Sequence, residues 1–196
     1  MCAEKRASRS YTLKKRAEQQ AETRRRIVEA AVELHGTLGP ARTPLSLVAE
    51  RAGVQRKTLY AHFPDQRSLF LACSGHSFEK SPPPDAEEWR AIADPAERLR
   101  AGLTSLYGWY GGNAELFACV LRDAEYHPPT REIAELRLGP LMTRYCEVLG
   151  QGLAPLQRAM LQLALAFPTW RTLVVQAGIK QSKAIDTLVE AVLRAD

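Results

Sequence analysis

Apolar residues recur along this chain at spacings of three and four over almost its whole length. In the segment TRRRIVEAAVELHGTLG this spacing places Ile27, Ala31 and Leu34 on one face of a helix. No stretch of the sequence alternates convincingly at period two, and no internal repeat or low-complexity tract is visible. The pattern therefore predicts an all-α fold of about nine helices.

Capping residues and glycines divide the N-terminal part into short helices. Thr43 is the predicted N-cap of a second helix, with Pro44 at its first position, and this helix stops at Gly53. A third helix begins near Gln55, and Asp65 is the predicted cap of a fourth. Three helices in about forty residues, the last two joined at a glycine, are typical of a helix-turn-helix with a supporting first helix.

Prolines set the predicted boundaries of the C-terminal part. The proline run at 81–85 predicts a connector or domain boundary, and Asp94 followed by Pro95 predicts the next helix start. A later helix starts at Thr130 and is expected to kink or break at Gly139-Pro140. A long helix after Pro155 is expected to bend at Pro168.

Charge is distributed unevenly between the two ends. Residues 1–67 contain 14 Lys and Arg against 7 Asp and Glu, whereas residues 68–196 contain 13 against 15. A net charge of +7 on residues 1–67 is expected if that end of the chain binds a polyanion, although a solvated basic tail explains part of this charge. The four cysteines lie far apart without a CxxC pair, which argues against a zinc site and is typical of a cytoplasmic protein.

A basic, hydrogen-bonding cluster opens the third predicted helix. In a helix-turn-helix the second helix of the pair enters the major groove with its N-terminal residues first, where Arg and Lys can donate to guanine and Gln can pair with adenine. The competing interpretation is a solvated polar turn, and His62 is equally consistent with a partly buried residue that closes the helix. The predicted DNA-binding residues are Thr43, Gln55, Arg56, Lys57, Thr58, Tyr60, His62 and Arg67.

The segment RIVEAAVELHGTLGPARTPLSLVAERAGVQRKTLYAHFPDQRSLFLA closely resembles the DNA-binding domain of the tetracycline-repressor (TetR-like) transcriptional regulators. The matching features are the helix-one pattern, Gly39 before the second helix, and the units VAERAGV and TLYAHF, over about residues 22–75. Gln55 stands where a Ser or Thr commonly caps the recognition helix. Gln66 stands where a Lys is common, with Arg67 beside it as an alternative phosphate contact.

This resemblance implies a dimeric repressor that a small ligand releases from its operator. It divides the chain into a basic arm (1–21), a helix-turn-helix domain (22–80) and a ligand-binding and dimerisation domain (81–196). Candidate ligand contacts are the aromatic and polar residues of the middle helices: Tyr107, Trp109, Tyr110, Phe117, Arg122, Tyr126, His127, Tyr145 and Trp170. The cluster DAEYH could hold a metal or cation, but residues at i and i+2 of a helix diverge, so no metal site is predicted.

Two apolar helix faces near the C-terminus suggest a four-helix interface between two subunits, an arrangement that two-fold symmetry permits. Part of these faces must be core. The predicted interface residues are Leu156, Met160, Leu163, Phe167, Val174, Ile185, Leu188, Val189 and Val192.

Other classes of function fit the sequence less well. No nucleophile with a nearby base, carboxylate pair or phosphate-binding loop is recognisable, so neither an enzyme nor a cofactor is predicted. The most apolar segment is too short to span a bilayer, and a cytoplasmic protein is expected. The main alternative is a non-sequence-specific nucleic-acid-binding or architectural protein, which would share the basic end but needs no mildly acidic second domain.

Overall fold

The computed structural model describes the backbone of residues 2–195 and the side chains of residues 14–195. All regular secondary structure in this part of the chain is helical, which confirms the all-α prediction. The helices are α1 (Cys2–Thr37), α2 (Leu45–Arg51), α3 (Arg56–His62), α4 (Gln66–Lys80), α5 (Glu87–Arg90), α6 (Pro95–Gly112), α7 (Ala114–Ala124), α8 (Pro128–Leu149), α9 (Pro155–Leu165), α10 (Phe167–Trp170) and α11 (Gln181–Leu193). A 3-10 turn at Pro40–Arg42 and a π-helix at Arg171–Gln176 complete the order.

The count over residues 2–195 is eleven α-helices instead of about nine, and prolines account for the difference. α5 is a single turn directly after the proline run. The helix after Pro155 does not bend at Pro168 but stops at Leu165, and Ala166 is extended (φ −71°, ψ 134°). Proline lacks an N–H and clashes with the carbonyl four residues earlier, so Pro168 lies in the first turn of the separate helix α10.

Of the two outcomes predicted at Gly139-Pro140, a kink or a break, a break does not occur, because α8 continues through these residues to Leu149. In an α-helix the carbonyl of Leu136 accepts a hydrogen bond from the N–H of residue 140. Because Pro140 has no N–H, this carbonyl lacks its usual partner. Leu136 and Pro140 both lie on the exposed side of α8, where water can take the place of the missing N–H. The helix also begins at Pro128, two residues before Thr130.

Capping at the start of α4 is confirmed, whereas capping at the start of α2 is not. The Asp65 carboxylate accepts a 2.7 Å hydrogen bond from the Ser68 N–H, in a capping box. Pro44 occupies the N-cap position of α2, and the Thr43 hydroxyl donates instead to the Gly39 carbonyl at 2.8 Å. The predicted N-cap role of Thr43 is therefore wrong, because its side chain folds back into the turn after α1.

Two apolar cores divide the molecule. The N-terminal core lies between α1, α2, α3 and α4, and includes Ile27, Ala31, Val48, Leu59 and Phe63. The C-terminal core extends from α5 to α11 and is rich in aromatic rings. α1 packs against α7 and α4 packs against α8, so the first and fourth helices join the two units.

Candidate DNA-binding surface and ligand cavities

Leu59 and Phe63 attach α3 to the N-terminal core, and their spacing of four residues puts both on one face of the helix. They are 0% and 1% exposed. Gly53 in the preceding turn has φ 64°, a left-handed conformation that glycine adopts without steric cost, and this lets α3 follow α2 after a sharp turn. The opposite face of α3 is consequently free to meet solvent.

Four of the predicted DNA-binding residues are exposed at the N-terminal end and on the free side of α3, with Gln55 as its N-cap. Gln55, Arg56, Lys57 and Tyr60 are exposed, and Tyr60 retains 51% of its accessible surface. Among the side chains of residues 14–195, neither Arg56 nor Lys57 takes part in an ion pair. We call Gln55, Arg56, Lys57 and Tyr60 the recognition face.

The other predicted DNA-binding residues lie around this face or away from it. Thr58 and His62 are half-buried at its sides. Arg67 is exposed, but its Nε donates to the Glu132 carboxylate at 2.7 Å, which ties it to α8. Thr43 is 2% exposed with its hydroxyl turned inward, so its side chain is not presented to a phosphate.

Three of the candidate ligand-binding tyrosines are core residues whose hydroxyl groups donate to backbone carbonyls. Tyr107 donates to Ala164 at 2.9 Å, Tyr110 to Leu165 at 2.7 Å, and Tyr145 similarly to a carbonyl in the proline run at 2.6 Å. Burial raises the pKa of all three phenols. Tyr107, Tyr145 and the buried Trp170 line neither of the two cavities described below.

A second group of candidates surrounds the fully buried carboxylate of Asp123. Arg122 and Tyr126 both hydrogen-bond to Asp123, and Arg122 also donates to the Leu38 carbonyl at 2.9 Å. The His127 Nδ1 lies 2.7 Å from the Thr130 hydroxyl. Asp123 and Arg122 brace the contact between the two units, and Arg122, Tyr126 and His127 line neither cavity. The described residues contain no cluster of three side chains suited to a metal ion.

A small cavity lies where the two units meet, and we call it the junction cavity. Its volume is about 100 Å³, and α1, α4, α6, α7 and α8 surround it. Trp109 and Phe117 line it, as the sequence predicted for a ligand site, together with Phe70 and Ile133. Sequence reasoning missed His35, although its position four residues after Ala31 continues the buried stripe of α1.

His35 is the unusual group of the junction cavity. It is 5% exposed, and burial lowers the pKa of its imidazole to about 4, with the negative charge of Asp123 opposing the shift. The ring is therefore neutral near pH 7. Its Nε2 has no hydrogen-bond partner in the described structure, whereas buried polar atoms usually have one.

A larger cleft of about 730 Å³ opens between α7, α8 and α9. Tyr110 and Phe117 line it from one side, and Cys146 and Arg158 line it from the other. Its size is in the range of about 300–1,000 Å³ that is common for ligand pockets. Phe117 borders both the cleft and the junction cavity.

The predicted dimer residues separate into two sets. Ile185, Leu188, Val189 and Val192 are at most 9% exposed, because α11 packs against α6 and α9 of its own subunit. Their assignment to a dimer interface is therefore wrong, and the same holds for Phe167, which is 6% exposed and belongs to the core.

The remaining predicted residues leave an apolar outer face on α9. Leu156 and Leu163 are 50% and 54% exposed, and the half-buried Met160 lies between them on the same side. Val174 in the π-helix is also half-buried, and the neighbouring Val175 is 57% exposed. We call Leu156, Met160 and Leu163 the α9 face.

None of the helices in the described part of the chain combines the length and the apolar character that crossing a bilayer requires.

Residues 27–73 match the family described as bacterial regulatory proteins, tetR family. This range runs from the apolar stripe of α1 to the middle of α4 and contains the recognition face. No curated protein is similar enough in sequence to count as a match.

Solved structures of transcriptional regulators share the fold of most of this chain, including both units. A transcriptional regulator from Rhodococcus sp. Rha1 is 22% identical, with a TM-score of 0.65 over 87% of this chain and 96% of that one. The regulator FadR from Bacillus subtilis, solved with stearoyl-CoA, is 19% identical, with a TM-score of 0.61 over 86% and 97%. A tetR-family regulator from Streptomyces coelicolor is 17% identical, with a TM-score of 0.58 over 88% and 79%. The resemblance to TetR-like regulators is thus confirmed: residues 27–73 match the tetR family, in a chain whose fold is shared by solved transcriptional regulators.

Proposed function

We propose that this protein is a transcriptional repressor that binds a palindromic operator as a homodimer and leaves it when a small molecule binds. The observation that carries the proposal is the recognition face. The positively charged side chains of Arg56 and Lys57, the Gln55 amide and the Tyr60 phenol are all exposed at α3. The opposite side of this helix is buried in the N-terminal core. Such a surface is suited to a groove lined with phosphates and base edges.

Each side chain of the recognition face has a distinct role. Arg56 reads guanine through O6 and N7, since its fork of N–H groups matches these two acceptors. Gln55 is suited to adenine in the same way. Lys57 and Tyr60 contact phosphates, which position the helix without adding sequence information.

The α9 face supplies the dimer contact in this proposal. Leu156 and Leu163 are seven residues apart, two helical turns, so their side chains are aligned along one edge of α9. A two-fold axis through this edge would bury both side chains against their copies and would set two recognition faces side by side. Operator half-sites would then be about 34–36 Å apart or a multiple of that distance.

Release by a ligand follows from the position of the junction cavity. α1 and α4 belong to the DNA-binding unit, and they form one wall of a cavity whose opposite wall belongs to the C-terminal unit. A molecule that prefers one arrangement of the two units therefore changes the separation of the recognition faces in a dimer. Ligand and operator oppose each other with a coupling free energy of about 1–3 kcal/mol.

The experiment that tests the function is selection of bound duplexes from a random pool, followed by affinity measurements at fixed salt. We expect a selected sequence with two inverted half-sites, and an affinity for it at least about 10³-fold above that for random duplex. A ratio near one would contradict the proposal and would favour the architectural alternative.

A further inference from the structure

The junction cavity is bounded by side chains from both units. Val32 and His35 reach it from α1 and Phe70 from α4, while Trp109 and Phe117 reach it from the C-terminal unit. The Phe70 ring stands edge-on to the His35 ring, with centroids 5.0 Å apart. Nearly all of the lining surface is apolar. An occupant of this space therefore touches both units and must be mostly hydrocarbon.

Among the lining side chains of the described residues, only His35 has a buried nitrogen or oxygen atom without a hydrogen-bond partner. Arg137 donates to the Ser74 hydroxyl at 3.0 Å and to the Leu71 carbonyl at 3.2 Å. The remaining polar lining side chains also have partners, namely those of Cys73, Ser77, Ser81, Trp109, Asn113 and Thr130. The unpaired Nε2 of His35 is thus the buried polar atom of the lining that a ligand can satisfy.

Charge restricts the class of occupant. Because burial keeps the His35 ring neutral, the ring cannot balance an anion. The Arg137 guanidinium is directed to α4, and Asp123 is held by its own hydrogen bonds to Arg122 and Tyr126. A cationic ligand would find no counterion among the lining side chains that the structure describes, and an anionic one would find only Arg137, whose Nε and Nη2 already donate to α4. Burying a charge without a well-placed partner is far more costly than burying a neutral group.

The neutral imidazole also restricts the polar group of the ligand. One ring nitrogen donates and the other accepts, and either tautomer can place the donor or the acceptor at Nε2. A hydroxyl group both donates and accepts, so it pairs with His35 in either tautomer. The volume of about 100 Å³ limits the rest of the molecule to one ring at most, because even an engineered apolar cavity of about 150 Å³ holds a single benzene molecule.

We propose that the junction cavity binds a small neutral hydroxyl compound, one aromatic ring or a short hydrocarbon chain in size, whose hydroxyl pairs with Nε2 of His35. Its effect on operator binding rests on the function proposed above, whereas its binding does not. The ligand lies between α1 and α4 on one side and α6, α7 and α8 on the other, so it acts on the contact that joins the two units.

Calorimetric titration of the full chain with phenol and with toluene, which has nearly the same shape, tests the hydrogen bond. In the wild-type protein phenol should bind roughly tenfold more tightly than toluene, because it satisfies His35. In His35→Phe the order should reverse, since the hydroxyl would be buried without a partner. The matched control is His76→Phe, the same change at a half-buried histidine of α4 whose Nε2 is also unpaired but which does not line the cavity; it should keep the wild-type order.

A second variant tests the location without altering His35. Ala134 lines the cavity from α8, and Ala134→Leu should fill the space and remove the binding of both phenol and toluene. The two-ring compound 2-naphthol should not bind the wild-type protein. Tighter binding of toluene than of phenol to the wild-type protein, or phenol binding unaffected by Ala134→Leu, would overturn the proposal.

The DNA measurement separates this inference from the proposed function. Phenol should weaken binding to the selected operator by the same factor by which operator weakens phenol binding, because linkage is reciprocal. Selective operator binding with no phenol binding would overturn the cavity inference and leave the regulator intact. Phenol binding through His35 with no preference for any DNA sequence would overturn the proposed function and leave the cavity inference intact.

Discussion

The backbone N–H of Ala41 donates a 2.9 Å hydrogen bond to the carboxylate of Asp123, which is fully buried at the end of α7. Ala41 lies in the 3-10 turn after α1, so this bond fixes the DNA-binding unit directly to the C-terminal unit. Tyr126 and Arg122 donate to the other carboxylate oxygen at 2.8 Å each. Burial by itself raises the pKa of Asp123, but these hydrogen bonds outweigh it and hold the pKa below the usual aspartate value.

Replacing this carboxylate should loosen the joint between the two units. Asp123→Asn removes the charge that Arg122 pairs with and turns one acceptor into a donor, so either Ala41 N–H or the Tyr126 hydroxyl loses its partner. A buried polar group left without a partner costs about 1–3 kcal/mol in free energy of unfolding. Urea unfolding measures this loss. Glu125→Gln makes the same chemical change on an exposed neighbour and should leave stability within about 0.5 kcal/mol of wild type; equal stability of both variants would refute the bracing role.

The turn that carries Ala41 requires a glycine at position 39. Gly39 has φ 97°, and a Cβ added there would lie 2.3 Å from an oxygen of Asp123 and 2.3 Å from a nitrogen of Arg122. Gly39→Ala therefore combines backbone strain with a steric clash at the same joint. Gly53→Ala is the matched control, because Gly53 also has positive φ (64°) but open space around its Cβ position.

We expect Gly53→Ala to lower the free energy of unfolding by about 1–2 kcal/mol, the cost of a left-handed alanine. Gly39→Ala should lower it further, since side chains at the joint must also move. Thermal and urea unfolding of the two variants measures the difference. A larger loss for Gly53→Ala than for Gly39→Ala would show that the contact with Asp123 is not tight.

Substitutions on the recognition face should fall into two groups: those that change the base preference, and those that weaken binding to all DNA sequences. Arg56→Ala should relax base preference at one operator position, with a loss of about 1–3 kcal/mol against the correct base. Lys57→Ala and Tyr60→Phe should weaken binding to all duplexes about equally, because phosphate contacts carry no base information. Selected sequence logos and salt-dependent affinities measure these effects, and an unchanged logo for Arg56→Ala would remove that residue from base readout.

Carboxylates placed on α9 and on α11 should have different consequences. Leu163→Asp lies on the exposed α9 face and should yield a folded monomer, whereas Val192→Asp buries an unpaired charge and should unfold the subunit. Sedimentation velocity and circular dichroism together distinguish the two outcomes. A folded dimer with Leu163→Asp would place the subunit contact elsewhere.

His35 should make the protein less stable in mild acid. Its pKa is about 4 in the folded protein, against about 6.5 when the chain is unfolded, so the unfolded state binds more protons between these values. Stability contributed by the neutral ring is therefore complete above about pH 6.5 and is lost as the pH falls towards 4, by about 3 kcal/mol in all. Asp123 is the charged group that acts on the pKa of His35, and its own pKa is lowered, so it stays ionised over this pH range.

Urea unfolding of wild type and His35→Phe from pH 7 to pH 4 measures this effect. The variant should lose less stability than wild type over the window, because phenylalanine takes up no proton. Parallel curves for the two proteins would mean that His35 takes up a proton as readily in the folded state as in the unfolded state.

The turn at Gly53, the start of α4 and the exposed basic side of α3 were predictable because they depend on local rules. Gly53 and the Asp65 cap act within a few residues, and the four-residue spacing of Leu59 and Phe63 places both on one side of α3. When that side is buried, the residues on the opposite face are necessarily exposed. These features follow from backbone conformation and periodicity, which a linear sequence contains.

The C-terminal features depended on contacts between helices distant in sequence. A regular stripe such as that of Val189 and Val192 shows only that one face of α11 is buried, not whether the covering surface belongs to the same subunit. Tyr107 and Tyr145 are aromatic residues of the kind that line ligand pockets. In the structure they are buried in the core, where their hydroxyl groups donate to backbone carbonyls distant in sequence. The joint between Ala41 and Asp123 spans 82 positions along the chain, and packing of α1 against α7 alone brings the two residues together. Periodicity along one helix determines which side turns inward, whereas the partner it meets is decided only when all helices pack at once.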